Sequence, residues 1–173
     1  MNPNKIRCLL YPKGPSFVLH VYSDADYGGC QLDKKNTFGT CQFLENMLIS
    51  WFSKKQHSVA LSITEVKYIV VGNCCAQVLW MKQQMEDFGI IMDHIPIKCG
   101  NTSAISLTKN PIQHFRTKHI EIRHHFIRDH MQKGDVVIKF VDTLHQLADI
   151  FTKPLDKDRF CTIRGELCMI NAP

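Results

Sequence analysis

A long stretch with helical periodicity, between Ser62 and Gly89, constrains the fold of this chain more than any other feature. Ser62 and Glu65 have the S-x-x-E spacing of a capping box, and Gly89 is a natural helix stop. Steps of about 3.6 residues through this stretch meet an apolar side chain at every position except Gln77. The sequence therefore predicts one long helix that faces the core. Its predicted apolar stripe consists of Ile63, Val66, Val70, Cys74, Met81, Met85 and Phe88.

Runs of β-prone residues come before and after this helix. The run 17–23 ends on Asp24, and the runs 40–44 and 48–53 predict an antiparallel hairpin added to the first strand. After the helix, the pattern predicts a strand at 95–99, helices at 101–109 and 118–132, a strand at 136–141 and a short helix at 144–153. This order of elements predicts one α/β domain with a five-stranded mixed sheet flanked by helices.

Charge and cysteine usage narrow the class of protein. A net charge of +5 suits a polyanionic partner. No apolar run is long enough to cross a membrane, and the N-terminus has no uninterrupted apolar segment of the kind a signal peptide needs. We therefore expect a cytoplasmic or nuclear location, without secretion or a transmembrane segment. The eight cysteines contain no C-x-x-C pair, so we expect free thiols, several of them buried.

Six segments in a fixed order carry a family resemblance that extends over about residues 17–165. They resemble the ribonuclease H domain at the C-terminal end of the Pol polyprotein of Ty1/copia-type retrotransposons, and the resemblance implies the ribonuclease H-like fold. The segments are YSDADYGG (22–29), LISWFSKKQ (48–56), ALSITEVKY (60–68), CGNTSAISLTKNP (99–111), RTKHIEIRHHFIRD (116–129) and QLADIFTKPL (146–155).

The resemblance also implies an activity, a cofactor and partners. The family hydrolyses the RNA strand of RNA–DNA hybrids during reverse transcription, with Mg²⁺ or Mn²⁺, beside a reverse transcriptase domain that this chain lacks. We expect a fragment of such a transposable element, in which 1–16 are the remnant of an upstream connector, 17–155 are the ribonuclease H-like domain and 156–173 are a C-terminal tail. No membrane partner is expected.

The chemistry of the family needs four carboxylates around two divalent ions about 3.5–4 Å apart. By resemblance, two of the four positions keep a carboxylate, Asp24 after the first strand and Asp149 in the last motif. The other two are substituted, because the helix motif TEVKY has Lys67 and the CGN motif has Gly100. Asp24 and Asp149 are thus the remaining candidate metal ligands, and the four positions together carry a formal charge of −1.

These substitutions predict a degenerate active site. Losing two ligands and adding an ammonium, which cannot act as a ligand while charged, should abolish two-metal binding. Glu65 is the candidate substitute ligand, although it lies about 200° around the helix from Lys67. A related hypothesis is that the Lys67 ammonium takes the place of a metal and pairs with both Asp24 and Asp149.

Other polar residues are candidates for contacts with nucleic acid. Small polar side chains at a helix start and cations nearby suit the phosphates and sugars of a hybrid. Five histidines between 114 and 130 lack the spacing of a zinc site, and Trp51 and Trp80 are expected in the core. The candidate nucleic-acid-binding residues are Asn101, Ser103, Arg116, Lys118, His119 and Arg123, with Lys54, Lys55, Thr102 and Arg128 as further candidates.

Three functional hypotheses follow from these residues. The first is a ribonuclease H-like domain of a retrotransposon that has lost its catalytic activity. The alternative is a non-catalytic nucleic-acid-binding module that keeps the hybrid-binding surface. The third is an active nuclease with an altered metal site.

Overall fold

A computed structural model describes residues 17–27, 35–56, 62–109 and 118–169, with the backbone alone at 118–124. The five strands seen in these ranges form one sheet, and α-helices and short 3-10 turns connect or follow them. The strands are β1 (Leu19–Asp26), β2 (Thr37–Leu44), β3 (Met47–Lys55), β4 (Ile95–Cys99) and β5 (Val136–Phe140). The helices are α1 (Ile63–Asp87), α2 (Thr102–Lys109), α3 (Lys118–Gln132) and α4 (Lys157–Glu166).

The sheet has the mixed topology that the order of elements predicts. Its strand order is β3-β2-β1-β4-β5, with β1, β2 and β3 antiparallel and with β4 parallel to both β1 and β5. The carboxyl ends of β1 and β4 therefore lie side by side, with Ser23 paired to Cys99. The α/β fold class, with five strands and flanking helices, is confirmed.

The N-terminus of α1 has the predicted cap. Ser62 is the N-cap, and its hydroxyl accepts a hydrogen bond from the Glu65 backbone N–H at 3.1 Å. The chain leaves the helix through Gly89, whose φ of 75° suits a residue without a Cβ. The predicted apolar stripe is wrong at both ends, because Ile63 and Phe88 are exposed. The helix buries a wider face instead, which adds Tyr68, Val71, Cys75 and Val78.

Apolar side chains fill both faces of the sheet. One face carries the main core, in which β1, β4 and β5 pack against α1, α2 and α3. The other face carries a smaller core built from Tyr22, Cys41 and Phe43, covered by the turns after β5 and by α4. Burial raises the pKa of the Cys74 thiol, which packs in the main core, so it stays protonated. The described cysteines are free thiols, as predicted.

Two further expectations about structure differ from what is seen. The predicted helix at 144–153 is instead two 3-10 turns, Thr143–His145 and Leu147–Phe151. Trp51 and Trp80 are exposed rather than in the core, because Trp51 lies on the edge strand β3 and Trp80 on the outer face of α1. Beyond residue 155, α4 buries Ile163 in the smaller core. The division into domains stays a prediction.

No helix in the described ranges is both long and apolar enough to span a membrane.

Candidate active site

Asp24 lies near the carboxyl end of the central strand β1, and its side chain is 2% exposed. A carboxylate removed from water to this extent needs partners, since burying an unpaired charge is costly. Each of the two oxygens of the Asp24 carboxylate has a hydrogen-bonding partner. The Lys67 ammonium donates to Oδ1 at 3.0 Å, and the Thr152 hydroxyl donates to Oδ2 at 3.1 Å.

Lys67 reaches Asp24 from the second turn of α1. Its neighbours in the chain, Val66 and Tyr68, are buried, so the helix backbone is held against the sheet at this point. The Lys67 side chain is only 18% exposed, and its ammonium approaches the end of β1. Position 67 therefore faces the buried carboxylate, which is where the resemblance places a metal-binding carboxylate in the family.

Asp149 is the second buried carboxylate, in the 3-10 turn Leu147–Phe151. Lys153, four residues later, donates to its Oδ1 at 2.9 Å and lies 3.8 Å from Asp24 Oδ2. Burial raises the pKa of Asp149, and the neighbouring Asp24 raises it further, while the hydrogen bond from Lys153 acts in the opposite direction. Two carboxylates and two ammonium groups thus form one cluster, here called the carboxylate–lysine site (Asp24, Lys67, Asp149 and Lys153).

Gly100 faces the same cluster from the residue that follows β4. A Cβ at this position would lie 3.8 Å from Lys67 Nζ and 3.7 Å from Gln146 Nε2. The fold therefore brings together all four positions that the resemblance assigns to metal ligands. Gly100 itself contributes no side-chain oxygen.

The turn that carries Asp149 approaches the sheet closely at Gly39. Gly39 is paired with Asp24 across β1 and β2. A Cβ at Gly39 would lie 2.7 Å from Phe151 Cβ and 2.9 Å from Thr152 Cγ2, which is closer than real Cβ atoms pack. The absence of a side chain at this glycine therefore lets Thr152 reach Asp24.

Two other side chains tie this turn to the sheet. The Gln146 amide donates to the Ser23 carbonyl at 3.1 Å, and the Ser53 hydroxyl on β3 donates to the Phe151 carbonyl at 2.7 Å. Both bonds link the turn to a strand that is distant in the chain. The position of Asp149 is thus fixed from two strands, β1 and β3.

Sequence reasoning did not identify Lys153, Thr152 or Gly39 as parts of the site. A signal for Lys153 existed, because an acid and a base four residues apart often pair within one turn. Only the packing of the turn on β2 reveals the roles of Thr152 and Gly39. Lys153 also changes the electrostatics, since it brings the formal charge of the cluster from −1 to zero.

The predicted pairing of Lys67 with both carboxylates is seen only in part, because Lys67 bonds Asp24 whereas Lys153 bonds Asp149. Glu65 lies in the first turn of α1, where its backbone N–H is bound by the Ser62 cap. Position 67, not position 65, holds the observed contact with Asp24.

The candidate nucleic-acid-binding residues are only partly described. Asn101 caps α2, since its Oδ1 accepts from the Ala104 N–H at 2.7 Å. Thr102 and Ser103 are exposed at the start of this helix, and Lys54 and Lys55 are exposed near the end of β3. Arg116 and the side chains of Lys118, His119 and Arg123 lie outside the described part, so their predicted roles stay predictions.

The side chains present do not fit a two-metal centre. Magnesium needs several oxygen ligands at about 2.0–2.1 Å, and an ammonium has no lone pair to offer. Here only two carboxylates remain, and three of their four oxygens already accept a hydrogen bond from Lys67, Thr152 or Lys153. In the part of the chain that the structure describes, no group of three or more His, Cys, Asp or Glu side chains could hold a metal ion.

Relatives with similar sequence include Pol polyproteins of plant transposons. The chain is 40% identical over 162 residues to the retrovirus-related Pol polyprotein from transposon RE2 of Arabidopsis thaliana, which covers 93% of this chain and 11% of the polyprotein. It is 34% identical over 161 residues to that from transposon TNT 1-94 of Nicotiana tabacum, which covers 93% of this chain and 12% of the polyprotein. The chain thus spans about a tenth of the length of these curated relatives. No protein-family model matches the chain.

Solved structures with a similar fold are ribonucleases H and a viral reverse transcriptase. LC11-RNase H1 in complex with an RNA/DNA hybrid has a TM-score of 0.57 at 9% identity, over 78% of this chain and 93% of that chain. The N-terminal RNase H domain of a Mycobacterium tuberculosis protein has a TM-score of 0.56 at 6% identity, over 87% of this chain and 98% of that chain.

The protease–reverse transcriptase of prototype foamy virus also matches, with a TM-score of 0.53 at 12% identity, over 91% of this chain and 21% of that chain. At such low identities these three matches establish the fold alone, and the family rests on the transposon sequences. The chain therefore belongs to the ribonuclease H-like domains of Ty1/copia-type retrotransposon Pol polyproteins.

Proposed function

We propose that this ribonuclease H-like domain does not hydrolyse RNA–DNA hybrids. The observation that carries the proposal is the ion pair of Lys67 with Asp24, 3.0 Å long, at a position where the family resemblance implies a metal ligand. Gly100 leaves a second ligand position without an oxygen. Two-metal hydrolysis needs one ion to activate water and another to stabilise the leaving oxygen. Asp24 and Asp149 alone supply too few oxygens to hold both.

The third hypothesis, an active nuclease with an altered metal site, depends on Glu65 as a replacement ligand. Side chains two residues apart on a helix point to nearly opposite sides. Because Lys67 faces Asp24, Glu65 is directed away from this cluster by helix geometry. Even a contribution from Glu65 would leave position 100 without a ligand.

Cleavage of a labelled RNA–DNA hybrid in Mg²⁺ or Mn²⁺ tests the proposal. We expect no cleavage by the wild type and measurable cleavage by the double variant Lys67→Glu with Gly100→Asp. Adding Asp24→Asn to that double variant is the control, and it should abolish the cleavage. Cleavage by the wild type that Asp24→Asn removes would contradict the proposal and would make Glu65 the first residue to test.

Hybrid binding without cleavage is the second candidate function. The net charge of +5 and the exposed Lys54 and Lys55 on the edge strand favour it, and one similar structure is itself a complex with an RNA/DNA hybrid. Phosphate contacts release counterions, so binding should weaken as salt rises, with a slope in log–log form of about −0.9 per contact on a duplex.

Neutralising the two β3 lysines tests this candidate. The variant Lys54→Gln with Lys55→Gln should weaken hybrid binding and reduce the salt slope by about one to two contacts. The matched control is Lys133→Gln with Lys157→Gln, which removes the same charge from exposed positions after α3 and on α4. Equal loss of binding in both double variants would show that only net charge matters.

A further inference from the structure

We infer that Lys67 and Lys153 are built-in counter-ions that take the place of divalent cations, so that the carboxylate–lysine site binds no Mg²⁺ and needs none for stability. The inference deepens the proposed function and rests on it. In the proposed function, the lack of hydrolysis follows from the missing metal ligands. The further inference is that the two lysines already neutralise the carboxylates, so that no metal ion is needed.

Three of the four carboxylate oxygens at the site already accept a hydrogen bond from the chain itself. Asp24 accepts from Lys67 at 3.0 Å and from Thr152 at 3.1 Å, one bond at each oxygen, and Asp149 Oδ1 accepts from Lys153 at 2.9 Å. An ion at a bonding distance of about 2.1 Å from either oxygen pair would lie within a few ångströms of an ammonium. At that separation two positive charges repel strongly, more so in a buried site than in water.

The formal charge of the site also disfavours an added cation. Four carboxylates in so small a space would repel one another and would favour binding of cations. Two carboxylates with two ammonium groups have a formal charge of zero, and they form complementary pairs without any added ion. The free energy that a divalent cation would gain at this site is therefore small.

The two lysines differ in how easily they can leave. Lys153 is 33% exposed, so it can turn toward water when another cation arrives. Lys67 is 18% exposed, and its backbone is fixed between the buried Val66 and Tyr68 of α1. Lys67 is therefore the residue that excludes the metal, and Lys153 supplements it.

The helix offers a matched control in Lys82. Lys82 is 15% exposed and donates to Asp135 at 2.9 Å, so it resembles Lys67 in burial, helix and ion-pair length. Its partners lie away from the carboxylate–lysine site. Replacing each lysine with methionine keeps most of the side-chain volume and removes one charge.

Thermal unfolding of the full chain in EDTA, in Mg²⁺ and in Mn²⁺ tests the inference. The wild type should have the same Tm in all three, within about 1 °C, because a ligand stabilises only what it binds. Lys67→Met and the double variant Lys67→Glu with Gly100→Asp should have a lower Tm in EDTA, and each should regain about 3–8 °C with divalent ions in excess. Lys82→Met should also lose Tm in EDTA but should regain none.

A second measurement uses the wild type alone and does not depend on any variant folding. Mn²⁺ is paramagnetic, so its binding would broaden the amide NMR signals of residues around the site, such as Gly100. We expect no selective broadening there. Selective broadening would overturn the inference. In the thermal measurement, a wild-type Tm that rises with Mg²⁺ and no longer does so in Asp24→Asn would also overturn it.

The outcomes separate this inference from the proposed function. Divalent binding by the wild type without hybrid cleavage overturns the inference and leaves the proposed lack of hydrolysis standing. Cleavage by the wild type overturns both. A lack of metal response together with a lack of cleavage supports both.

Discussion

Two ion-pair clusters contact helix α1, one at each half, and they differ in how deeply their carboxylates are buried. In the carboxylate–lysine site, Asp24 is 2% exposed. In the second cluster, here called the Asp135 cluster (Lys82, His130 and Asp135), the Asp135 side chain is 25% exposed. Asp135 accepts from Lys82 at 2.9 Å and pairs with His130 at 2.8 Å.

The pKa of Asp135 and the pKa of Asp149 are shifted in opposite directions because of this difference in burial. Hydrogen bonds from His130 and Lys82 lower the pKa of Asp135, because burial opposes them only weakly. For Asp149 the order is reversed, since burial raises its pKa despite the hydrogen bond from Lys153. The same kind of partner thus adds stability to a carboxylate in contact with water, whereas it mainly offsets the cost of burial for a carboxylate out of water. Removing one lysine should therefore lower the free energy of unfolding more in the carboxylate–lysine site than in the Asp135 cluster.

Of the changes considered, replacing Lys67 or Lys82 should give the largest difference in the free energy of unfolding between the two clusters. Lys67→Met leaves the buried Asp24 with only the more distant ammonium of Lys153, 3.8 Å away, so we expect a loss of about 3 kcal/mol in the free energy of unfolding. Lys82→Met leaves a carboxylate that is 25% exposed and keeps His130, so we expect a loss of about 1 kcal/mol. Urea unfolding in EDTA measures both. Equal losses would show that burial does not distinguish the clusters.

Gly39→Ala tests whether close packing positions the first cluster. The new Cβ would meet Phe151 Cβ at 2.7 Å, so the turn with Asp149 and Thr152 must move, at a cost of about 2 kcal/mol. Gly165→Ala is the control, because within the described ranges no atom outside its own helical turn lies within 4 Å of its Cβ position in α4. Alanine should stabilise that helix by up to about 1 kcal/mol. A Gly39→Ala protein as stable as the wild type would contradict the positioning role.

Thr152→Val keeps the shape of the side chain but removes the hydroxyl, whose proton is shared between Asp24 Oδ2 at 3.1 Å and the Asp149 carbonyl at 3.0 Å. Because the oxygen that loses its donor is buried, we expect a loss of about 1–2 kcal/mol. Thr162→Val is the control, since the Thr162 hydroxyl donates to the Asp158 carbonyl at an exposed position of α4. Urea unfolding should show a smaller loss for the control, and a larger loss there would be evidence against a special role for Thr152.

Acid should affect the Asp135 cluster in a defined direction. The pKa of Asp135 is lowered from its ordinary value of 3.8, so its ion pairs stabilise the fold above that value. That stability is lost as the pH falls through the lowered pKa. Asp135→Asn should therefore remove part of the acid sensitivity and should cost less than about 1 kcal/mol at neutral pH.

The matched control for the acid measurement is Asp129→Asn, at an exposed carboxylate on the same helix as His130. Urea unfolding across the acid range compares the two variants with the wild type. If both variants had the same pH dependence as the wild type, the ion pairs of Asp135 would not contribute to acid sensitivity.

The sequence predicts the elements of the fold better than the details of the site. The cap at Ser62 and the stop at Gly89 are local signals, so the long helix could be identified with nearly correct bounds. The turn around Asp149 was predicted as a helix, because the packing of residues 148–152 against Gly39 decides its shape. The prediction that Trp51 lies in the core is wrong, since a strand pattern does not reveal that β3 lies at the edge of the sheet.

The sequence motifs locate the four positions that the family resemblance assigns to metal ligands. They do not predict which lysine pairs with which carboxylate. Lys67 was expected to neutralise both acids, but the side-chain geometry divides that role between Lys67 and Lys153. Such a division depends on distances of a few ångströms between elements far apart in the chain. A pattern of residue types alone cannot supply them.

The most direct test of Lys67 as the counter-ion of this site is a double-mutant cycle between Lys67 and Asp24, measured by urea unfolding in EDTA. The variants are Lys67→Met, Asp24→Asn and the two combined, with the Lys82–Asp135 pair as the parallel cycle. Because the Lys67–Asp24 pair is buried, we predict a coupling energy of about 2–3 kcal/mol, against about 1 kcal/mol or less for the control pair. A coupling below about 0.5 kcal/mol for Lys67 and Asp24 would show that the lysine does not act as the counter-ion of this site.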